Sequence, residues 1–379
     1  MGAARGLLTL CLGGLRLTPA VASPFDPHPA QRSGPFFDGW FTRIVDHERG
    51  VSAAVIIGSF QPARDGSFNS TWVALLHRGA GSNTTVVEQH FLDQSDVRVE
   101  SRSLPEPGYV SNFTWRSTRG ELEVNDSAAL LSFAFDSLHV RARLSARVPW
   151  SAEAPDAAGP EGWVRRLPAL TCHYYVHSLA SRAEYTLTPA GGSAIEGRGH
   201  AHMEGNYGRT FPQGWIWLQA IGASGGVQVV LTAGRFLSLG PLGISAVVMA
   251  YRSPQLHWDF RTTDLDAICW RGSAAGGWFS AVARHWTRDE ELRLTVQAPP
   301  GSFSDRLYFP TRSGFSDTPG CRESYSAVVD VVAYRRGVAL ERQRVPLAAL
   351  EFGGTYLDSP ESAEGSCALG TRPPERFFA

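Results

Sequence analysis

Four polar side chains recur at alternate positions in one short stretch: His200, His202, Glu204 and Asn206. Side chains on a β-strand alternate between faces, so these four share one face while Gly199, Ala201, Met203 and Gly205 share the other. Such a row either enters a site or forms the solvated face of an edge strand. A metal is the first rival reading, because His-x-His-x-Glu resembles a ligand set. Yet His200 and Glu204 would lie about 13 Å apart at Cα, at roughly 6.7 Å per two residues, too far to share one ion easily. A His200/His202 or His202/Glu204 pair could still do so, but the spacing fails the metal-binding cupin pattern, and the expectation is no metal.

A second constellation follows closely. Trp215, Trp217 and Gln219 alternate onto one face of the next strand, with Ile216 and Leu218 on the other. Two core tryptophans are the plain reading. Lining an apolar pocket, the same rings would hold a developing carbocation by cation–π attraction, worth about 1–2 kcal/mol when desolvated. Gln219 would add one orienting hydrogen bond. Elsewhere the chain has no Gly-rich phosphate cradle and no G-x-S-x-G elbow, so nucleotide chemistry and the common hydrolase arrangements lack support. It contains no lysine, so no side-chain amine can form a Schiff base.

The elements that must position these residues read as strands. Short alternating or β-branched runs, punctuated by Gly, Pro, Asn and Asp, recur along nearly all 379 residues, and helical signals are scarce. One series occupies residues 23–166, the other 167–358, and residues 359–379 read as a polar, flexible tail. Strands beginning near Thr171, Glu184 and Ile195 fall in the second series. The expected fold class is all-β, with two nearly closed antiparallel barrels or sandwiches packed together.

Thirty-five basic and 36 acidic residues leave a net charge of −1, without a run of like charge to track phosphates. Nucleic acid is therefore not an expected partner. Residues 1–22 have the layout of a signal peptide: Arg5, an apolar stretch from Leu7 to Leu17, and Ala20-Val21-Ala22 as the cleavage site. The secretory pathway is the expected address, with a plastid reached by bipartite targeting as the alternative. Four of the five asparagines, Asn69, Asn83, Asn112 and Asn125, stand in N-x-S/T glycosylation acceptors. Beyond the leader, Cys172, Cys269, Cys321 and Cys367 permit two disulfides in an oxidising lumen, or stand as unpaired thiols. No later apolar run reaches a membrane span.

The densest segment resembles the signature of the tocopherol cyclase-like family: Glu-Lys-Asn-Trp-Gly, two residues, Phe-Pro, then a Trp-x-Trp-x-Gln strand. Here it stands as Glu204-Gly205-Asn206-Tyr207-Gly208, Arg209-Thr210, Phe211-Pro212, then Trp215, Trp217 and Gln219. Gly39-Trp40-Phe41, His173-Tyr174-Tyr175-Val176-His177-Ser178, Cys321 to Tyr325 and Ala349 to Gly354 resemble other family elements in order. The resemblance implies lipocalin-like double barrels, related in architecture to carotenoid hydratases, with an apolar cavity near the junction of the halves. It implies a cofactor-independent isomerisation of a hydrophobic prenylated small molecule, by a monomer: alkene protonation followed by phenol addition, closing a chromanol ring. Glu204 is then the candidate acid, His202 or His200 the acceptor of the phenolic proton, and Asn206 the group that orients the hydroquinone. Trp40, Tyr175, His177, Tyr207, Trp215, Trp217 and Gln219 would line the cavity. A non-catalytic carrier of an isoprenoid or lipid is the alternative, since fold does not fix function. A barrel that mainly presents a surface to another protein is a third reading. Two positions depart from the signature: the family Lys is Gly205 and its Trp is Tyr207.

Overall fold

The computed structural model describes residues 23–28, 36–61, 70–101, 111–125, 127–154, 158–167, 170–239, 242–358 and 363–364. Residues 1–22, Asn69 and Cys367 lie outside them, as does most of 359–379. Almost all of the described chain is antiparallel β-structure in two large curled sheets.

The first sheet comprises β1 (Phe36–Asp46), β2 (Val51–Gln61), β3 (Ser70–Arg78), β4 (Val86–Asp93), β5 (Arg98–Ser101), β6 (Phe113–Ser117), β7 (Gly120–Val124), β8 (Ala128–Ala134), β9 (Leu138–Ser145), β10 (Cys172–Pro189) and β11 (Ile195–Gly208). Its order is β4-β3-β2-β1-β11-β10-β9-β8-β7-β6-β5. The second sheet comprises β12 (Gly214–Ile221), β13 (Gln228–Leu239), β14 (Leu242–Arg252), β15 (His257–Arg261), β16 (Ala267–Ser273), β17 (Trp278–His285), β18 (Glu290–Gln297), β21 (Cys321–Arg335), β22 (Val338–Gly354) and β23 (Ala363–Glu364). Its order is β15-β14-β13-β12-β22-β21-β18-β17-β16-β23, and the short β19 (Pro310–Thr311) and β20 (Gly314–Phe315) form a separate hairpin.

Each sheet curls round its own apolar filling. Trp40, Phe113, Trp115, Phe133, Tyr175, Tyr185, Ala201 and Met203 pack inside the first. Ile216, Leu218, Leu231, Trp258, Phe260, Trp270, Leu292 and Leu294 pack inside the second. The edge strand β4 of the first sheet is not left bare, because Glu88 accepts hydrogen bonds from the backbone N–H groups of Asp136 and Ser137 in the β8–β9 turn. This draws the curl toward closure.

Three expectations need correction. The strands from Thr171 to Glu204, assigned by sequence order to the second series, are β10 and β11 and complete the first sheet: β11 pairs with β1 (Phe41↔Glu204) and β10 with β9. The change of sheet therefore falls between Gly208 and Gly214 rather than at 166/167, because periodicity identifies a strand but not its partner. Cys172 and Cys321 are buried thiols without a disulfide, so the arrangement of two bridges is not formed. Cys269 is also buried, on β16. Within the stretch expected to be a flexible tail, Ala363 and Glu364 pair with Gly272 and Arg271 of β16. Among the described residues, no helix is long and apolar enough to cross a membrane.

Candidate active site in the seam between the sheets

The outer faces of the two curled sheets meet in a seam, and there the alternation of β1, β10, β11 and β12 has its consequence. Odd residues Phe41 and Arg43 of β1 leave the first barrel, while Trp40 and Ile44 enter it. Likewise Trp215 and Trp217 of β12 face the seam, and Ile216 and Leu218 fill the second barrel. Strand β11 sends Ala201 and Met203 into the first barrel, which leaves His202, Glu204 and Asn206 on the seam side.

A cavity of about 310 Å³ lies in this seam. Leu167, Leu170, Cys172, Phe211, Pro212, Trp215, Trp217, Val247 and Val248 give it an apolar lining; Glu161, Glu204, Asn206 and Glu351 interrupt that lining. The polar groups are engaged rather than loose. Three groups converge on Oε2 of Glu204: Tyr174 Oη donates at 2.7 Å, Trp217 Nε1 donates at 3.2 Å, and His202 Nε2 is hydrogen-bonded to it at 2.8 Å. Burial and the neighbouring Glu204 push the Tyr174 phenol well above its ordinary range, so Tyr174 stays a donor.

Glu351 reaches the same cavity from β22, directly across from Trp217 in the pairing of β12 with β22. Trp215 Nε1 donates to it. Behind Glu351, on the neighbouring strand β21, stands Glu323, its cross-strand partner, whose carboxyl disfavours a charge on Glu351. Burial first, then Glu323 and Glu204, push Glu351 well above the usual carboxylate range. Burial pushes Glu323 up as well. The cation that acts against the rise of Glu323 is Arg43, which is fully buried, donates to Gln219 Oε1, Ser52 Oγ and Leu347 O, and lies 4.6 Å from the Tyr325 ring centroid. Burial lowers its value to about 10, which still leaves it charged near neutrality. Burial, Glu323 and Glu204 thus all favour the protonated form of Glu351, the form a proton donor to carbon requires.

The structure brings some of the residues singled out in the sequence to the cavity and places others elsewhere. Glu204, Asn206, Trp215 and Trp217 line the cavity, His202 is fully buried against Glu204, and Gln219 binds Arg43. Trp40 and Tyr175 point into the first barrel, where Trp40 Nε1 donates to Phe25 O at 2.9 Å. His177 stacks on Phe25 at 4.3 Å. One step along β10, Tyr174 takes the position expected of Tyr175, a parity error of one residue in a period of two. His200 lies against Gly225, and Tyr207 stacks between His28 and His173 with centroids at 4.0 and 4.8 Å. Neither lines the cavity. Gly205 faces Phe25, with a Cβ built there 3.3 Å from that ring, so a side chain at 205 would point into the first barrel and away from the cavity. The sequence pattern gives no role to Tyr174, Glu323, Glu351 and Arg43, because only the packing of one sheet against the other brings them together.

Architecture and site together define a double β-barrel protein with a carboxyl-bearing apolar cavity between its sheets. Residues 106–354, well over half of the chain, match the tocopherol cyclase-like family, and the chain belongs to that family. Two solved structures share its fold. The AttH protein of Nitrosomonas europaea superposes with a TM-score of 0.54 at 13% identity, covering 92% of this chain and 99% of its own. CghA superposes with a TM-score of 0.57 at 11% identity, covering 86% of this chain and 90% of its own. At such identities the likeness is one of fold. No curated protein sequence matches the chain significantly.

Proposed function

We propose that the protein is a cofactor-independent isomerase that closes a ring by protonating an alkene of a prenylated phenol or hydroquinone. The observation that carries this reading is that two carboxyls, the buried Glu204 and the partly buried Glu351, face one cavity whose lining is mostly apolar. A pure carrier has no use for two desolvated acids, each of which costs stability.

The roles follow from the surroundings. Glu351, held neutral, gives its proton to the less substituted alkene carbon. The tertiary cation left behind sits against Trp215 and Trp217, whose ring faces attract it. The phenol oxygen then bonds to the cationic carbon and its proton passes to Glu204, whose Oε2 is fixed by Tyr174, Trp217 and His202. Substrate and product are isomers, so return of the proton from Glu204 to Glu351 restores the enzyme. The sequence reading gave the acid role to Glu204; the shift of Glu351 supports moving it there. A volume of about 310 Å³ is at the small end of ligand cavities and suits a ring with its first prenyl unit.

Mass spectrometry after incubation with a prenylated hydroquinone tests this reading. Wild type should form a chromatographically distinct product of unchanged mass, and Glu351→Gln should form it 10²–10⁴-fold more slowly, the usual contribution of a general acid. Full turnover by Glu351→Gln removes the acid assignment; unchanged substrate co-purifying with every variant favours the carrier.

The secretory address belongs to the same proposal. Asn83 is exposed, and Asn112 and Asn125 are partly exposed, which supports glycan attachment at these three acceptors. Glycosidase treatment of protein made in a eukaryotic host should lower its apparent mass.

A further inference from the structure

The cavity meets the surface at an unusual rim. Trp163 is 57% exposed, Leu167 41% and Leu265 78%. Leu167 also lines the cavity, with Val164 and Thr263 beside it, so patch and opening are continuous. The rim is built rather than loose. Trp163 Nε1 donates to Thr263 O at 3.3 Å, joining the helical turn Gly162–Arg166 to the β15–β16 turn. Arg261 ties the residues just before that helical turn to the β15–β16 turn: its Nε donates to Pro160 O at 2.6 Å, one Nη to Gly159 O at 3.2 Å and the other to Asp264 at 3.1 Å. Leu265 stands at φ 65°, the left-handed region where Gly or Asn is at ease and a branched apolar residue is not. An exposed leucine in a strained turn serves neither the core nor the turn. Arg165 and Arg166 follow Trp163 within its own turn.

We propose that this rim docks the protein on an anionic lipid bilayer, with Trp163, Leu167 and Leu265 entering the interfacial layer, Arg165 and Arg166 meeting headgroups, and the cavity mouth facing the membrane. Each part of the rim has its counterpart there. Tryptophan favours the headgroup level, leucine the acyl boundary just below, and arginine the negative surface. A patch of three side chains is far smaller than the roughly 800 Å² per partner of a stable protein interface. An apolar cavity that opens through such a patch lets a water-insoluble ligand enter without crossing water. The inference uses the opening of the cavity and not its chemistry, so failure of the cyclisation assay leaves it standing.

The test is flotation of the full chain with vesicles of phosphatidylcholine alone or mixed with phosphatidylglycerol, each variant first shown by circular dichroism to fold. Wild type should float with the mixed vesicles. Trp163→Ser/Leu265→Ser should partition at least tenfold more weakly, and Arg165→Gln/Arg166→Gln should lose its preference for anionic vesicles, about fivefold per arginine. Trp286→Ser removes an equally prominent tryptophan, 71% exposed on the β17–β18 turn, and should bind as wild type does. The proposal is overturned if wild type floats with neither vesicle, if the Trp163/Leu265 variant binds as well as wild type, or if Trp286→Ser loses as much. The apolar stretch Leu7 to Leu17 is common to all these proteins, so binding through it alone would leave them equal and count as the second of these outcomes.

Discussion

The interior of the second barrel and the seam between the sheets are comparably buried and chemically opposite. Inside the barrel, Phe260, Leu292, Leu294 and Ala281 belong to one buried apolar cluster. Across the wall formed by β12 and β22, the seam holds Arg43, His202, Glu204, Gln219, Glu323 and Glu351, all with little or no exposure except Glu351, whose carboxyl opens on the cavity. One wall serves both: Ile216 and Leu218 on one face of β12, Trp215 and Trp217 on the other. Ordinary stability supplies the first face. Buried ionisable groups are costly and require partners, so their concentration on the second face marks where chemistry takes place.

Two substitutions should separate the regions most strongly. Arg43→Met would leave Gln219 Oε1, Ser52 Oγ and Leu347 O without their buried donor and remove the cation that acts on Glu323, at an expected cost of about 1–3 kcal/mol. Leu294→Ala, in the barrel, should cost about 2–5 kcal/mol by opening a cavity. Urea unfolding measures both. The contrast lies in turnover per folded molecule, which should fall for Arg43→Met and hold for Leu294→Ala; equal turnover in both would erase the distinction.

Protonation gives the next effect. Because the folded value of Glu351 is raised above the ordinary 4.5, the folded state keeps a proton that the unfolded chain releases. Its contribution to stability is therefore full below about pH 4.5 and is lost as pH rises through the raised folded value, by up to about 1.4 kcal/mol per pH unit. Glu351→Gln should lack this slope, so its stability relative to wild type should improve with pH. Turnover by wild type should decline over the same range as the acid loses its proton. Parallel stability curves for the two proteins would mean that Glu351 does not hold its proton.

How much of this was legible in the sequence depends on the range of the contact. His202, Glu204, Trp215 and Trp217 were legible because alternation along one strand fixes a shared face, and the second barrel's Leu292, Leu294 and Val296 for the same reason. Glu351 was not. It meets the cavity only because Trp217 pairs with it across β12 and β22, 134 residues apart by number (351 − 217), and nothing local encodes that register. Tyr174 was lost to its neighbour Tyr175 because β10 is nearly all buried here, on both faces, which removes the polar alternation that tells one side from the other. Bulges between Val176 and Ser181 disturb the count further.

Tyr174→Phe sharpens the site side of the comparison on a smaller scale. It removes one donor to Glu204 while keeping the ring, so about 1 kcal/mol of stability should go. Turnover should fall about tenfold, if a worse-held Glu204 accepts the phenolic proton less readily; an unchanged rate would reduce Tyr174 to packing.

The smallest effect belongs to the rim and runs in the opposite direction. Leu265→Asn places a residue tolerant of φ 65° where leucine is strained, and its side chain leaves no core behind because Leu265 is 78% exposed. Thermal unfolding should therefore show a gain of about 0.5–1 kcal/mol. A residue whose replacement improves the fold is retained for something other than the fold, and the same variant should bind anionic vesicles less well. A loss of stability would instead give Leu265 a structural task, and the argument from strain would fall.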